Sequence, residues 1–387
     1  MKILVLTSRF PYPLEKGDKL RAFYQIKELS RNHEIILASV SDQYVLPDHL
    51  DALKPFCKKI IVHQISYLSI FRNLFVTFFK RQPFQGGYFY SKDFQIKIND
   101  VIQNDKPDVI YCQLVRMAEY VRHVKHISKT LDFMDAFSKG LERLSQRSNI
   151  FKRIMVKMEW KRMLSYEQSI FSSFDHHTII SAQDRILIPH PGKEQIEVIP
   201  NGVDEDYYRP LAAEKKFDLI FSGNMAYPPN VESAMFIAKE IMPLLIKKNP
   251  EVKLVIAGAT PTKEILNLAN KNIEVTGWVD DMREYFAQSK IHLAPMLISI
   301  GLQNKILQAM SMKIPCIVSS QANNAINAPE NKCVLIADSP AGYVEKINYL
   351  LGNPESGSAM AENAFQFVRE NFSWPVQVGK LEVILRK

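Results

Sequence analysis

Strand, helix and strand follow one another within the opening segment of the chain, and this alternation constrains the fold more than any other feature. Met1–Leu6 is a short apolar run closed by polar residues and then Phe10-Pro11-Tyr12-Pro13, the pattern of a buried strand entering a loop. Gly17 and Asp18 lead into Leu20–Arg31, where Leu20, Phe23, Tyr24, Ile26 and Leu29 share roughly one helical face. Glu34–Val40, apolar and β-branched, reads as a second strand. A strand–helix–strand unit predicts a parallel sheet covered on both faces.

The rhythm resumes at Pro107–Cys112, Thr130–Met134, His177–Ile180 and Ile196–Ile199, the last ended by the turn Pro200-Asn201-Gly202. It restarts at Asp218–Phe221 with a long helix over Val231–Lys248. Strands over Val252–Ala257 and Ile273–Thr276, a helix over Asp281–Gln288, a strand over Ile291–Ala294 and a helix over Asn304–Met312 follow. Strands over Ile314–Val318 and Cys333–Ile336 close the series. The spacing predicts two doubly wound α/β domains joined near residues 195–216, with the default ligand site in the cleft between them, beyond the carboxyl ends of the strands.

Composition excludes several classes. The chain has 387 residues, 47% hydrophobic and 23% charged, the balance of a packed globular protein. Four cysteines without CxxC spacing read as reduced and structural, so neither a disulfide scaffold nor a zinc site is expected. No dinucleotide fingerprint, P-loop, zincin motif or nucleophile elbow is present. His176-His177 is a possible metal pair by composition, but its place at a strand start favours a structural role. Neither a secretory leader nor a membrane span is legible, which predicts a soluble, cytoplasmic protein. The charge is lopsided: residues 1–200 hold 30 Lys/Arg against 21 Asp/Glu, and residues 201–387 hold 19 against 20. A basic first half favours a polyanion such as an anionic membrane or a phosphorylated acceptor, and no nucleic-acid recognition motif accompanies it.

Four stretches stand out: Phe10–Arg21, Val198–Pro210, Gly277–Phe286, and Ser299–Met310 followed by Lys313–Ser320. In these residues the chain resembles the retaining glycosyltransferases of family 4 from bacteria, and the resemblance runs nearly end to end. It implies a GT-B-type fold of two facing Rossmann-like domains. Residues 1–198 form the acceptor side, 199–371 bind the nucleotide-sugar donor, and a closing helix over 372–387 returns to the first domain. Asn201–Asp204 resembles the family's interdomain entry and Asn371–Trp374 the start of its closing helix.

Within the fourth stretch, Gly301, Leu302 and Gln303 lead into a helix beginning near Asn304, after a strand. A helix N-terminus offers N–H groups and partial positive charge to an anion, and Lys305 in the first turn adds a point charge for a diphosphate. A solvated lysine is the other reading. The resemblance places a glutamate at Ile300 and a second at Gln308, the latter holding the donor ribose. An amide there accepts the ribose hydroxyl without charge assistance. After Gly223 the family often supplies an arginine and a lysine, whereas this chain has Asn224 to Asn230. Lys305, the helix terminus and Arg21 are left to stabilise the leaving diphosphate. Trp278 and Val279 sit where the family holds the base; Trp278 either stacks on it or plugs the loop. Gly17 opens the first-domain glycine loop, which the resemblance turns to the cleft, and is counted there with the donor-binding residues. Arg21 either binds an anion or holds local carboxylates such as Asp18. Gln113 and Arg116 mark the acceptor side, and Asp132 and Asp135 either orient a hydroxyl or cap the next helix.

The expected activity is sugar transfer from a UDP-, GDP- or other nucleotide sugar to a hydroxyl of a saccharide or lipid-linked acceptor, in polysaccharide or glycolipid synthesis. The resemblance implies no cofactor and no metal. A non-catalytic nucleotide-sugar-binding subunit and a nucleotide-sugar epimerase are the alternatives. The basic aromatic stretch Tyr67–Arg81 and the helix Phe151–Arg162 suit contact with the inner, anionic face of the membrane.

Overall fold

The computed structural model describes residues 1–80, 82–147, 149–296 and 302–387. The chain divides into two compact units, Met1–Pro200 with Gln377–Lys387, and Asn201–Val376.

The first unit holds a sheet of β1 (Lys2–Thr7), β2 (Glu34–Ser41), β3 (Lys59–Gln64), β4 (Val109–Gln113), β5 (Ser128–Asp132), β6 (His176–Ile179) and β7 (Glu197–Val198). Its order is β3-β2-β1-β4-β5-β6-β7 and every pair is parallel. Ile3 to Leu6 are essentially inaccessible, because helices cover both faces of a parallel sheet. The expected helix begins earlier than its apolar stripe, at Gly17, and ends at Leu29. β3 is an addition to the expected strands. Lys59-Ile-Ile-Val-His-Gln is a half-exposed edge, and its pairing with β2 is what makes it a strand.

The second unit holds β8 (Phe217–Ser222), β9 (Leu254–Ala257), β10 (Ile273–Gly277), β11 (Ser289–Ala294), β12 (Cys316–Val318) and β13 (Leu335–Ile336). The order is β10-β9-β8-β11-β12-β13, again all parallel. Alternate residues feed two cores. Ile220, Val255, Ala257 and Ala294 join one, and Leu219, Phe221, Leu254, Ile256 and Leu293 the other. The long helix runs from Pro228 to Lys248 with a π turn over Ile237–Ile241. Pro243, which has no N–H to give the preceding turn, comes two residues after its end. Both units are Rossmann-like, and each has a switch point where strand order reverses: β1/β4 in the first, β8/β11 in the second.

Two sequence motifs turn out to be one contact. The Val203 amide donates to the Phe372 carbonyl at 2.7 Å, and Val203 bridges Ser373 in parallel. A Cβ on Gly202 would stand 2.6 Å from the Trp374 amide nitrogen, so only glycine lets the backbones approach. The helix Trp374–Leu385 begins there, and its later residues belong to the first unit, where Glu382 meets His33 at 3.0 Å.

Arg21 is wholly buried, and this corrects its expected role. Its Nε donates to Asp132 Oδ2 at 2.6 Å and its Nη1 to the Ile199 carbonyl at 2.9 Å. Asp132 also accepts from the Tyr111 hydroxyl at 2.8 Å and the Thr178 hydroxyl at 3.0 Å. Burial opposes the guanidinium charge, but Asp132 and Tyr111 outweigh it and its pKa is raised. Arg21 therefore pins the first helix to β5 and the end of β7, and it is committed to a carboxylate rather than to a ligand. Asp132 is likewise consumed in the core. Arg21→Met, which strands a buried carboxylate, is expected to destabilise the first unit by ~3–5 kcal/mol. Denaturant unfolding checks this, and the double variant Arg21→Met, Asp132→Leu is expected to recover part of the loss.

Candidate active site

In the second unit the site grows from the carboxyl ends of β8 and β11. β8 ends at Ser222, and Gly223 follows at φ 151°, a conformation that side chains rarely adopt. Its carbonyl lies against Gly258 (φ 145°) at the end of β9, so closely that a Cβ on Gly258 would collide with it. Next, Asn224 folds its loop: its Oδ1 accepts from the Ala226 amide at 2.9 Å and the Thr260 hydroxyl at 2.8 Å. Asn230, in the first turn of the helix Pro228–Phe236, donates from Nδ2 to the Asn224 carbonyl at 2.9 Å. Its Oδ1 accepts from Lys305 Nζ at 2.6 Å.

Lys305 comes from the opposite wall, the first turn of the helix Asn304–Ser311. It is buried, which overturns the solvated-lysine reading, and its ammonium lies 4.5 Å from the centre of the Phe221 ring. Burial lowers its pKa to about 7. The partner is an amide rather than a carboxylate, so the cation has no counter-charge from Asn230. Burial, and then the Lys305 charge, hold His292 neutral at a pKa of about 3. The His292 ring, wholly buried on β11, sits 3.5 Å from the Ser222 hydroxyl. Asn230 and His292 escape sequence reasoning. Asn230 is one polar residue in a Pro-rich turn, although a polar residue inside the apolar run of β11 is a signal for the second.

Asn304 and Gln308 stand on one face of that helix, four residues apart and both partly exposed, while Lys305, Ile306, Leu307 and Ala309 are buried. Leu302 and Gln303 are also partly exposed at its approach. Ile300 and Gly301 lie outside the described residues. Trp278 follows Gly277 (φ 72°) at the end of β10 and is 70% exposed, so it does not plug the loop against the sheet; Val279 beside it is half-buried. The acidic pair after it is structural in part. Asp281 caps the helix Met282–Ala287 and chelates Arg283, whose guanidinium stacks on Tyr207 at 3.8 Å.

In the first unit, several acceptor-side residues meet at the β1/β4 switch point. Asp18 pairs with Arg9 at 2.6 Å and Arg116 at 3.6 Å, and its carbonyl accepts from Gln113 Nε2 at 2.9 Å. Arg116 lies 4.6 Å from the Phe89 ring centre, and burial, with Arg9 nearby, lowers its pKa to about 10. Leu114 (φ 68°) and Met134 (φ 62°) are left-handed just past β4 and β5, a conformation costing roughly 1–3 kcal/mol each. These strained turns carry Arg116 and Asp135. Asp135 is exposed, yet surrounding protein withdraws enough water, with Asp184 adding repulsion, to raise its carboxyl to about 6. Gly17 opens the first helix, and its position leaves room for a Cβ. His177 is a packing residue, stacked on Phe171 at 3.8 Å with Nε2 against the Phe171 carbonyl.

Residues 216–353, which contain the whole Gly223–Asn230–Lys305 arrangement, match the family model described as glycosyl transferases group 1. The second unit carries a glycosyl transferase group 1 domain. Over nearly the full length the chain is 23% identical to an uncharacterized 44.6 kDa protein in the cps region of Klebsiella pneumoniae, covering 96% of each. Among solved structures it resembles Alr3699/HepE of Anabaena in complex with UDP-glucose, at TM-score 0.68 and 13% identity, covering 100% of both chains. Sucrose-phosphate synthase of Thermosynechococcus elongatus gives 0.67 and 13%, covering 100% of this chain and 98% of that one. A putative UDP-N-acetylglucosamine 2-epimerase of Listeria monocytogenes gives 0.56 and 12%, covering 100% and 95%. At these identities the likeness is one of fold, the GT-B type.

A buried amine opposite an amide leaves a pH signature around this transferase domain. Lys305 has a lower pKa folded than unfolded, so the unfolded chain binds more protons between about pH 7 and 10.5. Lys305→Met is expected to be more stable than the parent below about pH 7, with the gap shrinking as pH rises towards 10.5. Unfolding midpoints of both proteins across that range check it.

Proposed function

We propose that the chain is a retaining glycosyltransferase of family 4 that moves a sugar from a nucleotide diphosphate to an acceptor hydroxyl. One observation carries the reading: Lys305 is held by Asn230 at the β8/β11 crevice, within the residues that match the glycosyl transferase group 1 model, as an amine without a carboxylate partner among the described residues. As the bond from the anomeric carbon to the diphosphate oxygen breaks, negative charge builds on the leaving group. Lys305, protonated, and the N-terminus of its helix stabilise that charge, the role a metal plays in other transferases. Gln308, one turn along, takes the ribose. Trp278 and Val279 take the base, and Gly223, Asn224 and the approach to Asn304 frame the phosphates.

The first unit receives the acceptor, with Gln113 and Arg116 on its wall and Asp135 orienting the hydroxyl that attacks. The domain assignment follows the expected one, donor at 199–371 and acceptor at 1–198, with the closing helix over 372–387. A role in surface polysaccharide synthesis is supported by the relative in the cps region. A lipid-linked acceptor at the inner face of the membrane accords with the basic first half.

Binding of a nucleoside diphosphate is expected to draw a proton onto Lys305. Affinity then falls as pH rises above about 7, and titration calorimetry at pH 8 in buffers of different ionisation enthalpy reads an uptake approaching one proton. Lys305→Ala is expected to abolish the uptake and lower turnover by ~100-fold with the fold intact. If UDP, GDP and ADP all fail to bind the parent protein, the reading is wrong. Binding without transfer across an acceptor panel supports the non-catalytic alternative, and inversion of a donor sugar centre the epimerase.

Gln308→Glu restores a charged acceptor for the ribose, and the same titration is expected to show ~5-fold tighter binding.

A further inference from the structure

The helix Tyr67–Lys80 has two apolar faces, and the first unit uses only one of them. Ile70, Leu74 and Thr77 turn inward. Tyr67, Leu68, Phe71, Phe75, Phe78 and Phe79 fall within about 120° of the helix circumference, and all six are exposed, Tyr67, Leu68 and Phe71 by 87%, 81% and 74%. A stripe of this kind is costly to leave in water.

The charge around it selects the occupant. The helix contains no acidic residue, and Arg72 is exposed beside the stripe. Its C-terminal end is held by the helix Ile150–Phe171. Arg162 donates to the Phe78 carbonyl at 3.1 Å and lies over the Phe78 ring at 5.4 Å. That second helix exposes Lys152, Arg153, Lys157 and Lys161, together with Ile154 and Met155. Its one acid in this stretch, Glu159, is occupied by the Phe84 and Gln85 amides at 2.9 and 3.1 Å. A second copy of the chain docking here across a two-fold axis would set these basic groups against their own image. A bilayer with anionic headgroups satisfies both features at once: the rings enter the headgroup–acyl boundary and the basic side chains meet the phosphates.

We infer that the first unit docks on anionic membrane through the aromatic face of Tyr67–Lys80, with Arg72 and the basic helix Ile150–Phe171 as its electrostatic rim. The docking surface belongs to the first unit and Lys305 to the second, and the inference does not depend on which sugar is transferred.

Co-sedimentation of the full chain with vesicles tests it. Binding to phosphatidylcholine carrying about 30% phosphatidylglycerol is expected to exceed binding to phosphatidylcholine alone by at least ~10-fold and to weaken with added salt. The double variant Phe71→Ser, Phe75→Ser alters exposed positions, so its unfolding midpoint is expected to match the parent while vesicle affinity drops at least ~10-fold. Lys157→Glu with Lys161→Glu is expected to remove the preference for phosphatidylglycerol. No sedimentation with either vesicle, or unchanged binding in the phenylalanine variant, overturns the inference. So does a lipid-free dimer, seen by ultracentrifugation, that the same variant dissociates. UDP titration of the same samples keeps this result separate from the donor site: a failure there leaves the vesicle result standing, and the reverse holds.

Discussion

Within each of the two sheets every strand runs parallel to its neighbours, and the rest of the structure follows from that constraint. A parallel strand cannot return by a tight turn, so each connection crosses a face of the sheet, usually as a helix, and both faces become buried. All carboxyl ends then gather along one edge of each sheet. Where strand order reverses, between β1 and β4 and between β8 and β11, neighbouring connections leave to opposite faces and open a crevice.

Two of the buried cations, Arg21 and Lys305, have contrasting surroundings. Arg21 is given a carboxylate, two supporting hydroxyls on that carboxylate and a backbone carbonyl, so its charge is neutralised within the protein. That arrangement serves cohesion between the first helix and the sheet. Lys305 is given an amide and a ring face, both of which orient an amine without cancelling its charge. Burial lowers its pKa to about 7. Under the proposed function a ligand's negative charge would meet this amine, and the burial of the amine costs the empty protein stability.

Much of the architecture was legible because buried parallel strands announce themselves as apolar runs bounded by glycine and polar turns. β1, β2, β8 and β11 fall within a residue or two of their expected places. β3 was not legible, since an edge strand buries little and is specified by its neighbour β2. The site was legible in part. Lys305 was legible as a cation in the first turn of a helix after a strand, and its role stands as a proposal, whereas Arg21, also in the first turns of a helix, is held by a carboxylate as its second reading had it, but by Asp132 rather than Asp18. The two differ only in what lies across from them, Asp132 in one case and Asn230 in the other, at sequence separations of 111 and 75 residues. Periodicity carries no information over such distances.

The amino-acid sequence by itself determined the alternation of strand and helix, the all-parallel sheets that follow from it, and the basic, aromatic character of Tyr67–Arg81. These depend on local pattern and composition, which a chain carries wherever it goes. Only the tertiary structure decided which buried cation faces a carboxylate and which an amide, that Asn201–Asp204 and Asn371–Trp374 meet in one backbone contact, and that seven large apolar side chains of one helix are left facing water. Each of those outcomes is set by a partner distant in sequence, or by the lack of one on an exposed face. Burial, charge compensation and close backbone approach are properties of the folded neighbourhood rather than of the residue.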